Sequence, residues 1–132
     1  MRFSAVIFAA LSAATFGHAQ TSFTGGEATF YVPSVGSCGF TNTDADFIVA
    51  VDVATITSFP GAGDDPTANP MCGLQMVVTG PDGKSVTVTV ADTCPSCAPG
   101  SVELTPAAFL QLANLEVGII PGISWTLIES DI

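Results

Sequence analysis

The chain has 132 residues, two basic residues against twelve acidic ones, and a formal charge of −10. Phosphate recognition rests on Lys and Arg, so nucleic acid and anionic membrane surfaces are excluded as partners. Acidity also disfavours charged, pectin-like polymers, which leaves neutral glycans and proteins.

The chain opens with Met1-Arg2, an uncharged apolar run from Phe3 to Phe16, and the small exit Gly17-His18-Ala19. This order predicts a secretory signal peptide over residues 1–19, cut after Ala19. The run is too short to span a bilayer. Removing 19 residues from 132 leaves 113, with Lys84 as the one base and a charge of −11. Arg2 and His18 leave with the signal, so the mature chain has neither arginine nor histidine. Ser-His and Cys-His catalysis, imidazole metal sites and arginine clamps are thereby excluded. Residues 20–132 are expected to form one domain, secreted and monomeric. A domain of this size buries roughly 65% of the surface its unfolded chain exposes, enough for one core.

Gln20 to Gly25 reads as a polar leader. Glu27 to Val32 is rich in aromatic and β-branched residues and predicts a strand. Pro33 to Asp46 is loop, and Phe47 to Val51 is a short buried strand. Ser58 to Pro70, with four prolines and glycines beyond Pro60, is the longest loop, and loops of this length are often functional. The apolar run Leu74 to Val78 reaches the turn Gly80-Pro81-Asp82-Gly83 and returns as Lys84 to Val90. There Val86, Val88 and Val90 alternate with Thr87 and Thr89, so a hairpin is expected. Thr105 to Ala113 is the one good helix, with Thr105 at the N-cap and Pro106 at the first helical position. Ile123 to Glu129 closes the chain as a strand with Ile123, Trp125 and Leu127 on one face. Five or six short strands and one helix point to a small closed β-barrel, which leaves no strand edge exposed.

Four cysteines, Cys38, Cys72, Cys94 and Cys97, imply two disulfides, with three connectivities possible. The preferred pairing is Cys38–Cys72 with Cys94–Cys97, the first contributing roughly 3–4 kcal/mol in the chain-entropy model. Cys94-Pro95-Ser96-Cys97 has the spacing of a redox pair. However, Pro99-Gly100 follows where thiolate chemistry needs a helix N-terminus, so a structural role is preferred. A tetrathiolate zinc site is disfavoured by the single close pair and an oxidising compartment. Asn42-x-Asp44-x-Asp46 starts like a calcium loop but has Phe47 where glycine is needed, so a polar turn is expected and no metal. Asp64-Asp65 reads as a solvated turn, and Phe30 and Trp125 as core rather than a sugar-stacking platform.

Asp92 and Glu103 are the candidate catalytic acids, although neither is assigned a catalytic role. Asp92 ends the valine strand. Glu103 lies between Val102 and Leu104, where desolvation would raise its pKa and suit it to general-acid work. The plain alternative is that Asp92 accepts backbone hydrogen bonds at a turn and Glu103 faces water.

Four segments occur in order: Gly26 to Tyr31, Cys38-Gly39-Phe40, Val88 to Pro95, and Val102 to Phe109. Together they resemble the double-psi β-barrel of expansins, barwin and RlpA-like proteins, over about residues 25–130. The likeness is nearest to small secreted fungal proteins labelled riboflavin-aldehyde-forming-enzyme-like. The resemblance implies a six-stranded barrel and a groove lined by Thr29, Tyr31, Asp92 and Glu103. Glu103 stands where barwin-like endoglucanases and expansins carry an aspartate. Inverting endoglucanases need a second carboxylate to activate water, and no acid lies between Ala28 and Thr43. RlpA-like lytic transglycosylases use a histidine that the mature chain lacks, and the second, glycan-binding domain of expansins is not expected here.

The function expected is therefore non-hydrolytic binding or loosening of a neutral cell-wall polysaccharide, with no cofactor. The alternative implied by the resemblance is inhibition of papain-like cysteine proteases, through loops such as Pro33 to Cys38 or Ser58 to Pro70. An enzyme acting on riboflavin is a third class, for which no flavin motif or redox group is found.

Overall fold

The structure, a computed structural model, describes residues 21–129. The expected signal peptide lies outside the described residues. Six strands run in chain order: β1 (Ser22–Phe30), β2 (Ile48–Asp52), β3 (Gln75–Thr79), β4 (Ser85–Cys94), β5 (Val102–Leu104) and β6 (Ile120–Ile128). They close a barrel in the order β1-β5-β2-β4-β3-β6. Pairing is parallel between β1 and β5 and between β2 and β4, and antiparallel elsewhere. Closure pairs every strand on both sides, as expected for a short-stranded sheet that must hide its edges.

The valine alternation builds the inner wall. Val86, Val88 and Val90 of β4 face Met76 and Val78 of β3, and all five are buried. The hairpin turn closes through Gly80 N–H donating to the Lys84 carbonyl at 2.8 Å. Val49 and Val51 of β2, Val102 and Leu104 of β5, and Ile123, Trp125 and Leu127 of β6 complete the core. Trp125 is 2% exposed and donates from Nε1 to the Gly100 carbonyl at 3.0 Å, so it is core and no stacking platform. Phe30 meets Phe109 edge-to-face, with ring centroids 5.0 Å apart.

Several element limits differ from expectation. β1 begins at Ser22, inside the expected polar leader, and ends at Phe30, before Tyr31 and Val32. Its early part is irregular, with register shifts on either side of Gly26. A Cβ on Gly26 would sit 2.2 Å from the Gly100 carbonyl oxygen, so this glycine admits the 94–101 loop against the strand. Glu103 lies at the middle of the short strand β5, between Val102 and Leu104 as the sequence order has it. A helix α1 (Val53–Ser58) succeeds β2 although its residues are mostly β-branched. Asp52 starts it: this carboxylate, 1% exposed, accepts from Thr55 N and Oγ1, both at 2.8 Å, and from Gly100 N at 2.9 Å. The expected helix at Thr105 is shorter, α2 (Pro106–Phe109), with single turns continuing to Ala113. Thr105 occupies its N-cap position, but its hydroxyl donates to the Asp46 carbonyl instead of the helix.

The disulfides are Cys38–Cys72 and Cys94–Cys97, as preferred. Asn42 to Asp46 is a polar turn in which Asp46 Oδ2 accepts from Thr43 N at 2.8 Å and Asn42 Nδ2 at 3.3 Å. Asp65 starts a short 3-10 turn over Pro66–Ala68, accepting from Thr67 N at 3.0 Å.

Candidate functional site

Strand register brings the site together. Thr29 of β1 lies opposite Glu103 of β5, Glu103 opposite Ala50 of β2, and Ala50 opposite Asp92 of β4. Residues directly opposite one another face the same side of a sheet. Their flanking neighbours Ala28, Val102, Leu104, Val49, Val51 and Val90 all belong to the core. Thr29, Glu103, Ala50 and Asp92 therefore form one row on the outer face, running across four strands. Three strand spacings make it about 14 Å long. Ala50 at the third place is 1% exposed, so the row is covered between the two acids.

One irregularity puts Asp92 in the row. Counting by twos from Val86, Val88 and Val90 would turn residue 92 inward. Between β2 and β4 the register slips: Val49 pairs with Val90, but the next residue, Ala50, pairs with Asp92. Ala91 is the extra residue, and this bulge re-aims the carboxylate outward. The loop after β1 packs onto the bulge. Cys38 N–H donates to the Ala91 carbonyl at 3.2 Å, and a Cβ on Gly36 would lie 2.4 Å from that same oxygen.

The two acids differ in their surroundings. Asp92 Oδ1 accepts from Ser37 N and Thr93 N, both at 2.8 Å, and Oδ2 accepts from Tyr31 Oη at 3.2 Å. Ser37 Oγ and Thr93 Oγ1 share a further hydrogen bond of 2.7 Å. Asp92 thus ties the loop to β4, the plain structural role, and is itself partly buried. Tyr31 is held well above the ordinary phenol range, first by burial, then by the Asp92 charge and hydrogen bond, and least by Glu103. Glu103 is partly buried, and its carboxyl accepts no hydrogen bond among the described residues. Its pKa is raised, by burial first and by the negative charge of Asp92 second. Tyr31 meets Asp92 directly through its hydroxyl, and the Asp92 charge acts on both Tyr31 and Glu103.

Beside Glu103 the row opens into a hollow of about 260 Å³, lined by Glu27, Thr29, Ser96, Ser101 and Glu103 among others. Asp92 and Tyr31 do not line it. The Cys94–Cys97 loop forms one wall, through Ser96, Cys97 and Ala98. Glu27 is the acid of this hollow that sequence reasoning does not single out. It stands two residues before Thr29 on the same strand, so the period of two was its available signal. No group of three or more His, Cys, Asp or Glu side chains able to hold a metal ion occurs among the described residues.

The chain is similar to known proteins in sequence and in fold. A family model described as lytic transglycolase, a double-psi β-barrel, matches residues 63–124. The papain inhibitor of Streptomyces mobaraensis is 34% identical over 107 residues, 79% of this chain and 71% of that protein. The chain belongs to the RlpA-like double-psi β-barrel family. The solved structure of the Streptomyces papain inhibitor superposes on this double-psi barrel with a TM-score of 0.72 at 30% identity, covering 83% of this chain and 96% of that one. A variant of Clavibacter michiganensis expansin in complex with cellohexaose gives a TM-score of 0.65 at 30% identity, covering 85% of this chain. The double-psi barrel spans about half of that expansin, 52% of its chain.

Proposed function

We propose that the double-psi barrel binds a neutral cell-wall polysaccharide outside the cell and disturbs its chain-chain contacts without cutting it. The row Thr29–Glu103–Ala50–Asp92 is the observation that carries this reading. It offers hydroxyl and carboxyl groups at the intervals of the strands on one face of the barrel, with the Tyr31 hydroxyl beside Asp92. Sugar hydroxyls would donate to Asp92 Oδ2 and to ionised Glu103, and protonated Glu103 and Thr29 Oγ1 would donate to ring and hydroxyl oxygens. An expansin relative crystallised with cellohexaose supports the same class of ligand. Cleavage with inversion needs one carboxyl to protonate the leaving oxygen and another to hold the attacking water. Asp92 serves neither role readily, because three protein donors already engage it. The test is sedimentation with insoluble cellulose, chitin and fungal wall, using wild type beside Glu103→Gln and Asp92→Asn. Retention of wild type and weaker retention of both variants is expected. Release of reducing ends that disappears in Glu103→Gln or Glu27→Gln would contradict the non-hydrolytic reading.

A second reading, inhibition of papain-like cysteine proteases, is favoured by a different observation. The solved chain of the papain inhibitor relative is matched over 96% of its length, against 52% for the expansin.

A further inference from the structure

The loop that joins Tyr31 to Asn42 exposes the two most solvent-facing large apolar side chains among the described residues. Val32 is 74% exposed, Val35 66% and Phe40 41%. Apolar residues scattered singly over a surface call for no explanation, but three within nine positions of one loop do. The other long loop, Ser58 to Pro70, holds no large hydrophobic side chain of this kind. Its one aromatic residue, Phe59, packs against the core.

The apolar loop is also unusually fixed. Val35 pairs with Thr41 as an isolated antiparallel bridge. Asn42 N–H donates to the Ser34 carbonyl at 3.0 Å, Gly36 N–H to the Phe40 carbonyl at 3.1 Å, and Gly39 N–H to the Gly36 carbonyl at 2.9 Å. Cys38 is bonded to Cys72, and its N–H donates to Ala91, while Ser37 N–H is held by Asp92 at 2.8 Å. Five consecutive or near-consecutive amides are therefore engaged inside the molecule. Rigid apolar projections bind well because little freedom remains to be lost on association.

We infer that Val32, Val35 and Phe40 are the anchors by which this chain enters the apolar cleft of a papain-like cysteine protease. This rests on the second reading above and adds to it which loop, and which side chains, make the contact. The loop's internal bonding explains why the occupant would inhibit instead of being consumed. Cleavage requires a chain drawn out along the cleft. Extension here would break the bridge and the amide bonds to Ala91, Asp92 and Phe40, and Cys38–Cys72 would still hold the segment to the barrel. The inhibition is reversible and non-covalent, with no bond made to the protease thiol.

The test titrates papain, activated and then freed of thiol so that Cys38–Cys72 stays closed, with the protein against a peptide substrate. Wild type should inhibit. The double variant Val32→Asp/Val35→Asp and the milder Val35→Ser should weaken inhibition, the double variant by about tenfold or more, the scale of an interface anchor. Asp64→Ala, in the other loop, should leave it unchanged. Because Val32 and Val35 are solvent-facing, thermal midpoints should match wild type, and Val35→Ser guards against a folding defect in the double variant. Undiminished inhibition by folded variants overturns the anchors while leaving the inhibitor reading standing. Absence of inhibition by wild type removes that reading, and the anchors with it.

Discussion

Replacing Asp92 by asparagine tests the electrostatic centre of the row through a group that can be watched directly. Tyr31 is the only tyrosine in the chain, so tyrosinate absorbance reports it alone. Its proton is retained well above the ordinary phenol value of about 10. Burial is the largest cause, and the Asp92 charge and hydrogen bond come next. Asp92→Asn removes the charge and leaves burial in place. A hydrogen bond to a charged group contributes about 1.5–3 kcal/mol, and one pKa unit corresponds to about 1.36 kcal/mol. Tyr31 is only half-buried, so screening favours the lower end, and a fall of about one unit is expected. Linkage gives a second readout. The folded tyrosine holds its proton where the unfolded one has lost it, so stability declines as pH rises above about 10. That decline should be shallower in Asp92→Asn. A Tyr31 titration that coincides in the two proteins, or a wild-type tyrosine that ionises in the ordinary range, would refute the coupling and with it the shared face of Tyr31 and Asp92.

Glu103→Gln should raise the thermal midpoint at neutral pH, because the fold favours the protonated form of Glu103. The gain should vanish below about pH 4, where Glu103 is protonated folded and unfolded alike, and a difference that ignores pH would contradict the assignment. The disulfides should differ in weight. Cys38–Cys72 closes a separation of 34 residues and Cys94–Cys97 one of 3. Paired serine replacements should cost about 4 kcal/mol for the first and about 2 for the second in urea unfolding. Gly36→Ala should lift the loop from the bulge, breaking the Cys38 and Ser37 amide bonds, and lower stability by about 2–4 kcal/mol by the same measurement.

The hairpin from Leu74 to Val90 is legible because its signal is local: a strict alternation, a turn of Pro-Asp-Gly, and a return. The barrel is legible in the number and shortness of the strands. The true start of β1 is hidden because Gly25 and Gly26 look like loop, whereas they mark the irregular stretch where the strand admits the 94–101 segment. α1 is hidden because Val53, Thr55, Ile56 and Thr57 have strand propensity. Its cause is a buried aspartate fixed by a distant amide, Gly100 N–H. Asp92 and Glu103 stand out as acids beside apolar residues, and Thr29 and Tyr31 through resemblance. What no local pattern could supply is the row itself. It depends on a register across β1, β5, β2 and β4, between residues from 29 to 103, and on a slip at one position. Glu27 escapes for a different reason: it lies one residue before the stretch Ala28 to Thr43, which holds no acid.

The slip at Ala91 has a consequence for how such a surface can change over time. It uncouples the two sides of β4. Upstream, the valines answer only to the interior. Past Ala91, the chain answers to whatever touches the outside. A single inserted or deleted residue near this point would hand a different side chain to the exterior while the interior lining stayed as it was. The barrel can in this way keep an old frame and present a new face.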